Sequence, residues 1–487
     1  MNHQPFRTLS LLFFIAGLLF SQPAAAQPIT TPPPPGQPPR SSPLAIPPGS
    51  FQGGIPTGTL TDTTLTLNVV SVITRALEHN LGVLTAEHSL GKAEGARWRA
   101  LSGLMPNVNA RVGETRQTIN LAAFGFTGGP GTPFADIPTL VGPFNVFDAR
   151  IFLSQSILDL GALNSARAEA HNVEAARLTF KSARDFVIHV AGNLFVQVLA
   201  ASARADAARA QQETARTLHQ QALDLKQGGI IAGIDVLRAE VQLSTQTQRT
   251  TIADNELEKT KLQLARVIGL PLGQRFTLDP TSPELPVADL SIAGAVALAY
   301  KSRPDYQAAL ERISAAEAMR RSIAGEALPS VRVNADYGEI GLSPSDARAT
   351  FAVTGAVNVP IFQGGRTKGR LLEAEADIRS RRAEAEDLKG AIYYEVRGAF
   401  LDLDATSKQL ALANKTRDLA GQQLTQARDR FAAGIANNVE VVQAQDAVAV
   451  ASEQFITAQY GYELAKGALV RGVGTSEDFL RLLGGSR

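Results

Sequence analysis

The sequence predicts a mainly α-helical chain, internally duplicated, with two long helical hairpins and four β-strands of membrane-crossing length. Three observations carry that prediction. Matched residues recur about 200 positions apart. Two stretches of more than 60 residues, 160–227 and 366–432, contain no proline. Four runs alternate apolar and polar residues with the period of a strand.

The elements follow in chain order. Arg7, the apolar run Leu9–Phe20 and Ala24-Ala25-Ala26 read as a secretory signal peptide over 1–26, too short in its apolar run to be a spanning helix. Residues 27–60 hold Pro32–Pro35, Pro38-Pro39 and Pro47-Pro48, so they read as an extended, Pro-rich disordered tail. The chain has no cysteine, which excludes a disulfide scaffold, thiol chemistry and a lipid-modified cysteine anchor. With 47 basic and 46 acidic residues, spread rather than blocked, charge gives no case for nucleic acid. No later run of 18 consecutive apolar residues stands out, so an exported chain is expected either to stay out of the membrane or to cross it as a barrel.

The duplication defines the rest. Ala93-Glu94, Arg97 and Pro106 return as Ala316-Glu317, Arg320 and Pro329, an offset of 223. Phe195 returns as Phe400, Gly229-Ile230 as Gly434-Ile435, Lys261 as Lys466 and Gly269 as Gly474, an offset of 205. Ala76-Leu77 is matched to Ala297-Leu298. The change of offset marks an insertion in the first half at 119–143, rich in Gly and Pro and read as a loop. The first repeat spans 61–270, an inter-repeat belt 271–304, the second repeat 305–474 and a C-terminal tail 475–487.

In each half a helix (69–104, 305–327) ends before Pro106 or Pro329, because proline cannot continue it. Two strands follow: 107–118 and 144–157, then 330–340 and 349–360. Val331, Val333, Ala335 and Tyr337 alternate with Arg332, Asn334, Asp336 and Gly338, as Phe351, Val353 and Val357 alternate with smaller or polar neighbours. Such lengths suit tilted strands crossing a bilayer. Four strands cannot close a barrel and open edges are not tolerated in lipid, so several chains must contribute.

The long helices come next, each on the order of 100 Å. In the first, Val173, Phe180, Val187, Ala191, Leu194, Val198, Ala201, Ala205, Ala208, Ala215 and Ala222 keep a heptad-like stripe, the signature of coiled-coil packing. Each ends at glycine, in Gly228–Gly233 and Gly434–Asn438, before a return helix (234–268, 439–470). The turns therefore project, and Gly229, Ile230, Ile231, Gly434, Ile435 and Ala436 present small and apolar groups there, read as a socket for a partner.

These motifs resemble the TolC family of outer membrane factors. The turns stand as Gly229-Ile-Ile-Ala-Gly-Ile-Asp235-Val and Gly434-Ile-Ala-Asn-Asn-Val-Glu440-Val, and Leu65–Asn80 and Pro360–Gly365 match the family's opening helix and strand-to-helix joint. The resemblance implies a homotrimer in the outer membrane of a Gram-negative bacterium. It implies a twelve-stranded transmembrane β-barrel set in lipid and a periplasmic α-barrel. It implies partners docking at the tips, a periplasmic membrane-fusion adaptor and an inner-membrane pump of RND or ABC type. It places Glu440 at the pore constriction, with Asp235 at the matching turn and Gln443 where some members carry a second acid. Phe431 and Ala436 offer no hydroxyl or guanidinium for a polar latch, so gating is expected to rest on packing.

The six histidines show no metal-ligand spacing and no nucleophile, phosphate-loop or zinc-protease motif is present, so neither an enzyme nor a cofactor is expected. The function the resemblance implies is a passive exit duct of a tripartite efflux or type I secretion system, for small molecules or alternatively for protein. A periplasmic coiled-coil adaptor or scaffold without a barrel is disfavoured by the alternating strands.

Overall fold

The computed structural model describes residues 48–124, 138–280, 291–433, 435 and 438–477. The expected signal peptide, the proline-rich residues before 48, the middle of the 119–143 insertion and the last ten residues lie outside the described residues.

From Pro48 onward the expected tail is packed rather than loose. A 3-10 turn, Pro48–Gln52, sets the Phe51 ring edge-on to Phe186, with centroids 4.8 Å apart. The backbone then donates from Ile55 to the His79 carbonyl (2.9 Å) and from Thr57 to the Gly269 carbonyl (3.1 Å). Strand β1 (Leu65–Leu67) follows and pairs in parallel with β4 (Phe276–Leu278), so the segment is anchored through its backbone.

Helices α1 (Val69–His79) and α2 (Leu81–Ser102) replace the single helix expected over 69–104. The break is Asn80, whose backbone N–H closes α1 on the Ala76 carbonyl while its side chain accepts from Gly82 N. Asparagine does both because its short side chain reaches the next helix's orphan donors. After β2 (Asn107–Asn120) and β3 (Leu140–Leu158), helix α3 (Leu160–Gln227) and its return α4 (Gly233–Val267) form the first hairpin. Asp159 caps α3 by accepting from Ala162 N at 2.8 Å.

The second half repeats the plan. Helices α5 (Ile292–Ser302) and α6 (Pro304–Gly325) break at Arg303, where Pro304 at the first helical position lacks the donor that would be orphaned anyway. Strands β5 (Ser330–Gly341) and β6 (Arg348–Asn358) precede α7 (Arg366–Ala432) and α8 (Asn438–Val473). The Arg303 N–H bonds the Ala299 carbonyl as Asn80 bonds Ala76. Packing therefore pairs Ala76 with Ala299, two residues from the sequence match to Ala297.

Within the helical unit, α2 and α4 both pack along α3, and α6 and α8 both pack along α7 and against α3. The lateral order is (α2, α4), α3, (α6, α8), α7, with the first pair and α7 at the margins. The heptad stripe of α3 is largely buried: Val173, Val187, Ala191, Val198, Ala201, Ala205, Ala215 and Ala222. One 18-residue window of α3 reaches a mean hydropathy of 1.7, a composition that a packed core helix shares with a membrane span, although it holds no unbroken apolar run of that length. Val187, Ala191, Phe195 and Val198 of α3 belong to a packed core.

The strands form a separate unit, one four-stranded sheet in the order β2-β3-β5-β6. Strands β2 and β3 are antiparallel from Asn107↔Ser154 to Asn120↔Leu140, with an irregularity between Gln117 and Ile119. Gly338 lets β5 approach β3 closely, since a Cβ there would stand 2.2 Å from the Ala149 carbonyl. Arg150 joins the two strands through Asp148 (2.6 Å) and Asp336 (3.0 Å). Val108 and Val112 on β2, and Phe351, Val353 and Val357 on β6, stay exposed at a spacing of two or a multiple of it. At about 3.3 Å per residue the 11 residues of β6, the shortest of the four, are long enough to cross a bilayer core.

Candidate pore constriction and docking tips

At the first tip α3 ends in a complete Schellman motif. Ile230 N donates to the Leu225 carbonyl (2.9 Å) and Gly229 N to Lys226 (3.0 Å), with Gly229 left-handed at φ 73°. A side chain at Gly229 would strain that conformation, so glycine is required there. Ile230 stands 70% exposed, and Ile234, Leu237 and Val241 continue an exposed apolar line up α4. Ile231 turns the other way and packs on the buried cluster of Ala222, Val236 and Ala239. It belongs to the hairpin's own packing rather than to an outward tip set.

The second tip repeats the long bond, Ile435 N to the Arg430 carbonyl at 2.9 Å, and Ile435 is 73% exposed. Gly434 and Ala436 lie outside the described residues. Beneath it Ala427, Val441 and Ala444 are buried with Leu218, Leu424 and Phe431 around them. These three positions match Ala222, Val236 and Ala239 at the 205 offset.

The acids at the turns are both ion-paired. Asp235 accepts from Arg238 on its own helix at 3.0 Å, and Glu440 meets Arg430 across the turn at 3.2 Å. The second pair supplies the guanidinium that Phe431 and Ala436 lack, so the second tip is tied by charge as well as by packing. Sequence inspection missed it because the partners sit on opposite arms of the turn. Gln443 is exposed and occupies the position equivalent to Arg238. The tip acids, the exposed isoleucines and Gln443 are thus gathered near the two turns, each within its own hairpin.

Between the hairpins polar contacts run beside apolar ones such as Leu218 of α3 on the Ala427, Val441 and Ala444 cluster. Gln242 donates to Asp446 (3.1 Å) and Arg204 to Glu453 (2.8 Å). A cavity of about 210 Å³ lies among α3, α4, α7 and α8, lined by Gln211, Thr214, Gln246, Gln445 and Ser452 with apolar neighbours. Gln246 is 2% exposed and its Oε1 has no partner. Hydrogen-bonded side chains in such a seam resist separation less than a continuous apolar core does.

Around the helix breaks sits a charged network that sequence reading did not foresee. Arg303, 6% exposed, holds Asp305 (2.7 Å), Glu395 (2.6 Å) and the Gly472 carbonyl (3.3 Å). Burial would raise the Asp305 carboxyl, but the Arg303 guanidinium holds it below the usual range. Asp185 on α3 is buried with an unpartnered Oδ1; burial, then the neighbouring Glu477, pushes it up to about 7. One turn on, burial and then Arg471 push His189 down to about 4. The Arg303–Pro304 dipeptide was the one signal available in sequence, and it marks a boundary rather than a charge site. Among the described residues no cluster of His, Cys, Asp and Glu could hold a metal ion.

Comparison with known proteins matches residues 72–270 and 295–475 to the family described as outer membrane efflux protein. The pyoverdine export outer membrane protein OpmQ of Pseudomonas putida is 22% identical over 419 residues, 82% of this chain and 84% of that protein. The alkaline protease secretion protein AprF of Pseudomonas aeruginosa is 20% identical over 336 residues, 66% of this chain and 68% of its own. The fold matches the Campylobacter jejuni CmeC outer membrane channel with a TM-score of 0.73 at 16% identity, covering 88% of this chain and 92% of that one. The chain belongs to the outer membrane efflux protein family, the TolC-like channels of the outer membrane.

Proposed function

We propose that three copies of this chain close into one passive duct that carries small molecules outward, in series with a periplasmic adaptor and an inner-membrane pump. The carrying observation is that both layers are open at their margins. The sheet ends in β2 and β6, and α7 packs chiefly on α5, α6 and α8. Leu401, Leu412 and Leu419 of α7 are each more than half exposed, an apolar line left uncovered by the described residues. Free strand edges and bare apolar helix faces both call for another chain. Three four-stranded sheets make twelve strands, within the range of closed outer-membrane barrels.

The exposed tips suit an adaptor socket built on Ile230 and Ile435, and the Glu440 and Asp235 turns suit a constriction where negative groups repeat around an axis. A crosslinker placed at position 435 should capture the co-expressed adaptor, and in separate variants charged substitutions at Ile230 and Ile435 should abolish its copurification; copurification that tolerates them removes the socket. Likeness to OpmQ, an export protein, supports small molecules, whereas likeness to AprF supports the second reading, a duct for protein secretion. Copurification with the native adaptor and identification of the inner-membrane pump separates these two.

A further inference from the structure

The helix ends that are joined to the strands carry one sign of charge. The chain passes between helix and strand at 103–106, 159, 326–329 and 359–365, so each of these ends stands within a short chain reach of the lipid that the strands cross. The seven helix positions next to each strand, 96–102, 160–166, 319–325 and 366–372, together hold seven Lys or Arg and no Asp or Glu, in a chain with 47 basic and 46 acidic residues. At the tips both signs mix, Asp224 with Lys226, Asp235 with Arg238 and Asp429 with Arg430. Two of the seven cations are neutralised, Arg320 by Glu375 at 2.8 Å and Arg370 by Glu326. Arg97, Arg99, Arg321, Arg366 and Lys368 are exposed and have no acidic partner among the described residues.

Bare apolar groups stand among these cations. Trp98, between Arg97 and Arg99 near the end of α2, is 65% exposed. The 223 offset places it on Arg321 of α6. Helix α6 already packs on both α3 and α7, yet Arg321 stays exposed, so a further helix beside α2 would leave Trp98 open too. From the strand side, the exposed row Phe351, Val353 and Val357 keeps its spacing of two through Val359 to Ile361, which is 95% exposed. Phe362 follows at 89%, just before Arg366 and Lys368. The end of β3 offers Ile157, 60% exposed, on the same face as the exposed Ile151.

We infer that these helix ends form a collar that binds anionic phospholipid headgroups of the leaflet bordering the periplasm, with Trp98, Ile361 and Phe362 set at its acyl edge. Charge complementarity identifies the occupant: a surplus of unpaired Lys and Arg beside an apolar rim matches a layer of phosphates over hydrocarbon. The indole suits that boundary because its body is apolar and its N–H needs a polar partner. The arginines can lay their stems along the apolar surface and hold their guanidinium heads among the phosphates. Continuity supports the same occupant, since the Phe351–Ile361 row runs from the strand into the collar without a change of face.

Trp98 is the single tryptophan of the chain, so its fluorescence reads the collar directly. The full-length protein is reconstituted in mixed vesicles of phosphatidylcholine and phosphatidylglycerol, with bromine carried on the acyl chains of one lipid or of the other. Both brominated lipids should quench Trp98, and brominated phosphatidylglycerol should quench about two- to fivefold more per molecule. Raised sodium chloride should shrink that excess, and inorganic phosphate at matched ionic strength should leave it in place. Arg97→Gln with Arg99→Gln should bring the two lipids to parity while quenching persists, in a variant whose oligomer matches the wild type by native mass spectrometry. Quenching by aqueous iodide with none by either brominated lipid overturns the collar. Equal quenching by both lipids in the wild type overturns the preference for anionic headgroups, and an excess abolished by phosphate assigns the cations to a free anion instead.

Discussion

In the first repeat the break between α1 and α2 is held by Asn80, and the N-terminal segment wraps it through Phe51, Ile55 and Thr57. In the second repeat the equivalent break is held by Arg303, with Asp305, Glu395 and the end of α8 around it. Both sit on the same frame of buried aliphatic positions at fixed offsets, but the first core also takes in Phe276, Leu270 and the β1–β4 pair. One half is completed by apolar burial and backbone hydrogen bonds, the other by a buried ion network. The difference teaches that duplication preserves the helix frame while the filler around it is free to change chemistry.

The comparison can be broken in several ways. Phe195, 1% exposed in the first core, should cost about 3–5 kcal/mol as Phe195→Ala, while the less buried Phe400 should cost less as Phe400→Ala. Thermal unfolding in detergent measures both, and equal losses would erase the asymmetry. Arg303→Ala leaves two carboxylates beside a vacated site and should cost about 3 kcal/mol. Asn80→Ala, which removes neutral hydrogen bonds, should cost about 1–2 kcal/mol.

The Asp185 and His189 titrations have no counterpart in the second half, because the equivalent positions on α7 are Gly390 and Tyr394. The Asp185 carboxyl titrates near 7 when folded against an ordinary 3.8, so its favourable contribution is complete below about pH 4 and is lost as pH rises to about 7. His189, lowered to about 4, acts in the opposite sense and destabilises as pH falls from 6.5 toward 4. Asp185→Asn should therefore raise stability at pH 8 relative to pH 5, and His189→Gln should flatten the acid side. Parallel pH profiles in wild type and Asp185→Asn would assign the dependence elsewhere.

The smallest effects concern the turns. Glu440→Gln should weaken cation preference in planar bilayers, and Asp235→Asn should weaken it less, because Asp235 is the more covered side chain, 21% exposed against 40%. Unchanged selectivity in both would remove the turns from the conduction path.

Much of the fold was legible in the sequence for plain reasons. Proline-free runs and terminal glycines delimit α3 and α7, and proline after α2 and α6 stops those helices. The Asn80 break was not legible, since asparagine inside a helical pattern looks like a surface residue until its side chain is seen capping Gly82. Phe51 and its neighbours followed a proline-rich stretch whose composition says nothing about what their backbone can pair with. At the tips, a shared place in one projecting turn grouped Ile230 with Ile231, whereas the Schellman turn sends one outward and the other into the hairpin. The Arg430–Glu440 and Arg303 networks depend on distances across turns and between repeats, which residue spacing does not encode.

The most direct measurement is native mass spectrometry of the protein extracted from the outer membrane in detergent. Closure of open sheet edges and a bare α7 face by copies of the same chain predicts three chains in one particle. A stable single chain would contradict it.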